Sequence, residues 1–447
     1  MCGIFGVANV PDAAQLVYLG LYALQHRGQE SSGIVSVDDA GRAHIHRGMG
    51  LVNEVFGPTT LRNLPGDVAI GHTRYSTTGS SILANAQPGL VNYHHGPLAL
   101  AHNGNLTNAL EIRADLVRQG SIFQSSSDSE VLVHLMARSD ARAVEDQILD
   151  ALERVEGAYA LLLTVGRTLY AILDPRGFRP LILGSLGQGW VLASETCALD
   201  IVGATPVREL QPGEWLKIEN GQVIDLPPLA PKPAHRCVFE LIYFSRPDSR
   251  IFDRSVDAVR RRLGRQLAVE HPAPGADCVF SVPDSSNAMA LGFAEQSGLK
   301  LEHGLIRNHY VGRTFINPGQ AARRTNVRIK FNPVREVIDG RSVVVVDDSL
   351  VRGTTSRELV LLLRQAGARE VHFRLASPPI TGPCLYGIDT PDRDELIAAN
   401  QSIEQIRQHL GVDSLGYLSL DGTLDAAGRE GPGFCHACFS GDYPTPR

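Results

Sequence analysis

The run Val343-Val344-Val345-Val346-Asp347-Asp348-Ser349-Leu350-Val351-Arg352-Gly353-Thr354-Thr355-Ser356 restricts the fold more than any other stretch of the chain. Four consecutive β-branched residues read as a strand buried on both faces, the signature of a parallel sheet covered by helices. The polar loop leads into a helix over 357–365, stopped at Gly367. Paired carboxylates at the carboxyl edge of such a strand suit ribose hydroxyls or a hydrated divalent ion. Residues 352–355 gather backbone amides, hydroxyls and the positive end of a helix, which together cradle a monophosphate. A threonine N-cap explains the helix start but not the two aspartates beside it.

The same strand–loop–helix rhythm surrounds this run. A strand over 278–282 precedes Pro283-Asp284-Ser285-Ser286 and a helix ending before Gly298, and a further strand covers 371–376. The 283–286 loop can hold a pyrophosphate, although Ser286 alone is also a sound N-cap. Between Glu302 and Glu336 there is no carboxylate, but there are Arg307, Arg313, Arg323, Arg324, Arg328, Lys330 and Arg335. A run of this kind focuses positive potential on an anionic ligand. Gly312, Pro318 and Gly319 mark it as a loop.

Upstream the pattern differs. Short apolar or alternating runs (Val35, Val37, Ile45, Val68, Ile70, Leu98, Leu100) read as strands, with helices over 13–24, 106–119, 129–137 and 145–155. The prolines of 226–233 interrupt both helix and ladder bonding. They divide the chain into 2–230 and 231–447. A length of 447 residues suits two or three cores. The net charge of −6 argues against a nucleic-acid binder. No apolar run is long enough to span a membrane, and the first residues lack a secretory pattern. A cytoplasmic protein is expected. Its seven cysteines are an odd set that does not read as a disulfide framework.

Cys2 stands one methionine removal from the amino terminus. A terminal cysteine joins a thiol nucleophile to an α-amine whose ordinary pKa, roughly 7.7–8.0, suits a general base. Arg74 can grip a carboxylate in bidentate fashion, against the alternative of a surface ion pair. Asp128 can hold an ammonium, although Ser127 and Glu130 also spell a capping box. Asn103-Gly104 is either a pair of oxyanion donors or a hairpin turn. His26, His72 and His102 read as structural, with no carboxylate evident to orient them.

The 343–356 segment resembles the substrate signature of the type I phosphoribosyltransferases. Cys2-Gly3-Ile4, His26-Arg27-Gly28-Gln29-Glu30, His72-Thr73-Arg74-Tyr75-Ser76, His102-Asn103-Gly104-Asn105 and Ser126-Ser127-Asp128 resemble the N-terminal-nucleophile glutaminases. Taken in order over nearly the whole chain, the two are similar to the amidophosphoribosyltransferase family. The resemblance implies an αββα-sandwich glutaminase domain followed by a phosphoribosyltransferase domain with a parallel sheet. It implies Cys2, Asn103 and Gly104 as catalytic and Arg74 and Asp128 as glutamine-binding. Asp347, Asp348, Ser349, Arg352, Gly353, Thr354, Thr355 and Lys330 would bind phosphoribosyl pyrophosphate, with Mg2+ held through Ser285, Asp347 and Asp348.

The implied reaction transfers ammonia from glutamine to phosphoribosyl pyrophosphate, giving phosphoribosylamine, the first committed step of purine synthesis. Purine nucleotide inhibitors and a homotetramer are further implications, with neither nucleic acid nor membrane as partner. The family pattern departs in two places. Only Met1 precedes the cysteine, so maturation is expected to need an aminopeptidase alone. His309 replaces an expected arginine between Asn308 and Tyr310. An asparagine synthetase would need a Ser-Gly-Gly-x-Asp-Ser loop, which the sequence lacks, and a hexosamine synthase would need isomerase domains where 347–355 stands. A non-catalytic nucleotide-binding regulator of the same fold is the other class.

Cys435-His436-Ala437-Cys438 fits a redox pair, half a zinc site or half an iron–sulfur site. Cys237 and Cys384 lie in predicted loops and complete a four-thiolate set, whereas Cys197 and Cys278 sit in apolar surroundings as small core residues. Resemblance to one subclass of the family implies a [4Fe–4S] cluster on Cys237, Cys384, Cys435 and Cys438, with zinc as the alternative.

Overall fold

A computed structural model of the chain describes residues 1–75, 80–309, 329–390, 392–429 and 433–445. The early residues build two antiparallel sheets. The seven-stranded sheet runs Thr205–Glu209, Ile182–Leu186, Gly189–Ala193, Gly3–Ala8, Val68–Arg74, Ser31–Val37, Ala43–Met49. The six-stranded sheet runs Gln222–Asp225, Trp215–Glu219, Thr168–Leu173, Gly157–Val165, Gly96–Leu106, Gly89–Tyr93. Ile4, Ile70, Ala99, Ala101, Leu162 and Leu169 share one core between the sheets. The opposite face of Gly3–Ala8 sends Phe5 and Val7 against Val17 and Leu21 of the helix Ala13–Ala23. Leu161 and Leu163 of the other sheet meet helices 109–118, 130–137 and 144–152. Alternation of period two thus serves two cores at once and yields the expected αββα sandwich.

The expected helix over 106–119 begins only at Ala109, because Leu106 still pairs with Gly157 at the end of a long strand. Residues 226–235 form no regular element. They are nonetheless seated, with the Trp215 indole N–H donating to the Pro227 carbonyl at 2.7 Å and the Leu229 N–H to Gly213 at 2.9 Å.

Beyond them stands a five-stranded, wholly parallel sheet in the order Lys300–Leu301, Cys278–Ser281, Ser342–Asp347, Glu370–Leu375, Ser414–Tyr417. Val344 and Val346 pack with Val259, Leu263, Met289 and Phe293 on one face. Val343 and Val345 pack with Leu359, Leu363 and Ile406 on the other. That two-sided burial explains why the central strand is continuously β-branched. Cys278 and Cys197 are buried core residues, as expected. The tail is less irregular than its composition suggests: Phe434–Cys435 pairs in parallel with Arg236–Cys237, and Ala437–Ser440 forms a helical turn. Cys237 therefore lies in a short strand rather than a loop.

Candidate active sites

Gly3 pairs with Thr73, so entry into the central strand places Cys2 beside Arg74 at one end of the sandwich. The Cys2 N–H donates to Asn103 Oδ1 at 3.2 Å, and its carbonyl accepts from Arg27 Nε at 3.0 Å. Its Sγ lies 3.8 Å from the Tyr75 carbonyl. Asn103 and Gly104 sit inside the strand Gly96–Leu106, not in a turn; the hairpin falls at 93–96. Pairing from Leu98↔Val165 to Leu106↔Gly157 carries the strand straight through them. Because Asn103 Oδ1 faces Cys2, its Nδ2 is buried without a partner. Leaving such a donor unsatisfied costs about 1–3 kcal/mol. Any side chain on Gly104 would collide with the Ala158 carbonyl and the His102 ring.

Arg74 is 4 % exposed, which removes the surface ion-pair reading. Its Nη1 donates to the Ser80 carbonyl at 3.2 Å and lies 3.7 Å from Glu30. Ser76 falls outside the described residues. The capping box does not form: Glu130 instead accepts from the Gln124 and Ser125 amides. Asp128 accepts the Leu106 N–H at 2.9 Å and stands 3.5 Å from His102 Nδ1.

Two of the three histidines therefore have the carboxylate that the sequence did not reveal, since His26 Nε2 lies 2.7 Å from Glu195. For His102, burial opposes the charged ring but Asp128 outweighs it, and the pKa is raised. For Asp128, burial is likewise outweighed by His102, and the pKa is lowered. His72 is driven down to about 3 by burial and Arg74, and so is neutral.

In the second half, the register Ser281↔Val346 and Asp347↔Leu375 sets both aspartates at the strand's carboxyl edge. Ser285 Oγ donates to Asp348 Oδ2, and Ser349 Oγ to Asp348 Oδ1 at 2.6 Å. Burial and the neighbouring carboxylate raise Asp347 well above the usual range; burial also raises Asp348. Lys330 is within electrostatic reach of Asp347 and rests over the Phe331 ring.

Gly353, with φ 77°, is the N-cap of the helix Thr354–Gln365, so the threonines do not cap it and stand exposed at its first turn. Arg352 Nε donates to Glu395 at 2.7 Å. Ser286 Oγ likewise turns back to the Val282 carbonyl instead of capping its helix. Arg307 pairs with Asp284. Gly312, Arg313, Pro318, Gly319, Arg323, Arg324 and Arg328 lie outside the described residues, as does Tyr310.

Residues 72–200 match the glutamine amidotransferase domain family. The chain is 50% identical over 446 residues to amidophosphoribosyltransferase 2, chloroplastic, of Arabidopsis thaliana, covering 99% of this chain and 79% of that protein. It is 49% identical over 449 residues to amidophosphoribosyltransferase of Bacillus subtilis, covering 99% and 94%. The solved glutamine phosphoribosylpyrophosphate amidotransferase of B. subtilis complexed with ADP and GMP superposes with a TM-score of 0.94 at 49% identity, covering 100% of this chain and 98% of that one. The chain belongs to the amidophosphoribosyltransferase family.

In this amidophosphoribosyltransferase chain the four tail-associated cysteines are mutual neighbours. Cys438 feels the charges of Cys384, Cys237 and Cys435, and Cys237 and Cys435 are direct partners across the short parallel pair. Burial pushes Cys237 up to about 11 and also raises Cys435 and Cys438. The Tyr386 N–H donates to Cys384 Sγ at 3.3 Å, a contact that also suits a thiolate. The donor set thus fits a thiolate-bound metal centre in chemistry. Among the described residues, however, no three Cys, His, Asp or Glu side chains already converge as metal ligands.

One feature of this amidophosphoribosyltransferase gave no sequence signal beyond Arg27 itself. Arg27 is wholly buried and meets Glu195 at 2.6 Å and Glu240 at 2.7 Å; Arg179 meets Glu240 at 3.2 Å. Burial alone would raise both glutamates, but His26 and Arg27 hold Glu195 low, and Arg27 and Arg179 hold Glu240 low. Its members are separated by up to 213 residues, which local patterning cannot anticipate.

Proposed function

We infer that this chain is a glutamine-dependent amidophosphoribosyltransferase acting at the entry to purine synthesis, with a glutaminase half, 2–230, and a phosphoribosyltransferase half, 231–447. The partnerless Asn103 Nδ2 beside Cys2 carries the reading: a buried donor held next to a thiol is what a developing oxyanion requires. Arg74 receives the glutamine α-carboxylate and Asp128 its α-ammonium. The Cys2 thiol attacks the side-chain amide, with its α-amine, freed by loss of Met1, taking the proton. Asn103 Nδ2 and the Gly104 N–H stabilise the oxyanion, ammonia leaves, and water later releases glutamate from the thioester.

In the second half, residues 352–355 receive the 5-phosphate and Ser349, Lys330 and the 283–286 loop surround the remaining phosphates. Ammonia attacks C1 of the ribose, and pyrophosphate leaves. Ser285, Asp347 and Asp348 would hold Mg2+, which when bound neutralises pyrophosphate charge; two adjacent carboxylates, one buried and one half-buried, favour such a cation. Cys237, Cys384, Cys435 and Cys438 would hold a [4Fe–4S] cluster, which when bound cross-links three separated segments. Transfer of ammonia needs no electron, so that role is structural. The B. subtilis relative solved with ADP and GMP supports purine nucleotides as regulators here, and the family resemblance supports a homotetramer. Unpaired cysteines suit a reducing cytoplasm.

The deciding experiment is Cys2→Ala assayed with each nitrogen donor. Glutamine-dependent phosphoribosylamine formation is expected to vanish while ammonia-dependent formation persists. Loss of both would show that Cys2 is structural.

A further inference from the structure

The segment 384–389 belongs to the second half of the chain but is built into the first site. The Cys384 N–H donates to Thr390 Oγ1 at 2.6 Å, closing one end of the segment into a compact loop. Asn105 Nδ2 donates to the Leu385 carbonyl at 2.9 Å. Arg179 donates to the Tyr386 carbonyl, and the Tyr386 ring stacks on Phe178 at 4.3 Å between centroids and 17° between planes. Tyr386 Oη is itself held by Thr445 at 3.0 Å.

These anchors lay the backbone of Gly387 directly on the peptide of Gly104. Gly387 is buried and has φ 102°, a conformation other residues rarely adopt. A Cβ there would stand 2.8 Å from both the C and O atoms of Gly104 and 3.1 Å from its Cα. The neighbours cannot yield easily. Gly104 is paired with Tyr159 in the sheet, and its other flank is closed by the Ala158 carbonyl. The Gly104 peptide is therefore clasped between its own sheet and a strap supplied by the other half.

We propose that Gly387 is a positioning residue for glutamine hydrolysis: packed as a backstop against the Cα and carbonyl of Gly104, it fixes that residue and, through its Cα, the Gly104 N–H of the preceding peptide relative to Cys2. The proposal rests on the reading of Asn103 and Gly104 as those donors. Gly387 touches no substrate in this account and acts through Gly104 alone. Displacing an oxyanion donor by a fraction of an ångström weakens the transition state more than the ground state.

The test compares Gly387→Ala, Asn105→Ala and Asn103→Ala in the full-length protein, each assayed with glutamine and with ammonia. Gly387→Ala is expected to lower kcat with glutamine about 10- to 100-fold, leaving KM for glutamine and the ammonia-dependent rate within about twofold. Asn105→Ala removes one anchor without adding bulk, so the same split is expected at about 3- to 10-fold, and it decides the matter if Gly387→Ala does not fold. Unchanged kcat in the folded variants, or a rise in KM alone, overturns the backstop. If Asn103→Ala retains its glutamine-dependent kcat, the donor reading fails instead, whatever Gly387→Ala does.

Discussion

The two sites are prepared to different degrees. Around Cys2 several polar groups are already engaged among the described residues: Asn103 Oδ1, the Cys2 carbonyl, Arg74 and Asp128 all have partners, while Asn103 Nδ2 is left over beside the thiol. Around Asp347 the groups are poised against one another. Two carboxylates share one strand edge, their pKa values are raised, and Thr354 and Thr355 stand exposed at the first turn of the following helix. On the proposed function, the first site holds its spare donor ready for a charge that would appear only during reaction. The second carries charge that ligands must neutralise, so part of the folding free energy is held against their arrival.

The sharpest way to break this contrast is to remove the second site's charges. Asp347→Asn/Asp348→Asn should lower both glutamine- and ammonia-dependent synthesis by more than about 100-fold, since losing direct ligands exceeds the 10–100-fold cost of outer partners. The same variant should melt higher at pH 7. A carboxyl whose pKa is raised on folding loses stability as pH climbs from its unfolded toward its folded value, and the amide avoids that loss. A lower melting temperature would mean that the carboxylates already stabilise the unliganded protein.

Asn103→Ala should cut glutamine-dependent kcat by about 10²-fold or more, with ammonia-dependent synthesis intact. An equal fall in both would dissolve the distinction between the sites.

The smallest effect concerns His102 and Asp128. The folded pKa of His102 is raised, so its contribution is complete below about 6.5 and fades as pH rises through the folded value. Asp128 is lowered, so its contribution is present above about 3.9 and is lost in stronger acid. The unfolding free-energy deficit of Asp128→Asn should peak near pH 5–6, at about 1–2 kcal/mol, and shrink toward pH 9. A deficit constant across that range would show that the pair is a neutral hydrogen bond.

What the sequence made legible follows from the range of the forces involved. The strand and helix flanking Asp347–Asp348 depend on neighbours a few residues away, so the β-branched run and the terminating glycines announce them. Asn103-Gly104 looked ambiguous because the same dipeptide serves a turn or a strand; pairing with 157–165 settles it, and that pairing is non-local. The carboxylates that meet His26 and His102, Glu195 and Asp128, lie 169 and 26 residues further along the chain. The strap at 384–389 has no periodicity at all. Its place is fixed by hydrogen bonds to residues 105 and 179, which only the assembled molecule brings within reach.

The buried cluster of Arg27, Arg179, Glu195 and Glu240 bears on how such a chain can be inherited. Arg27, Arg179 and Glu195 precede the proline stretch and Glu240 follows it. A recombinant that joins the first half of one relative to the second half of another must bring a carboxylate at position 240. Otherwise two guanidiniums face a single glutamate in a dry interior, a mismatch costing about 3–5 kcal/mol. A crossover at the linker is therefore expected to be tolerated only when the incoming second half carries a carboxylate at position 240.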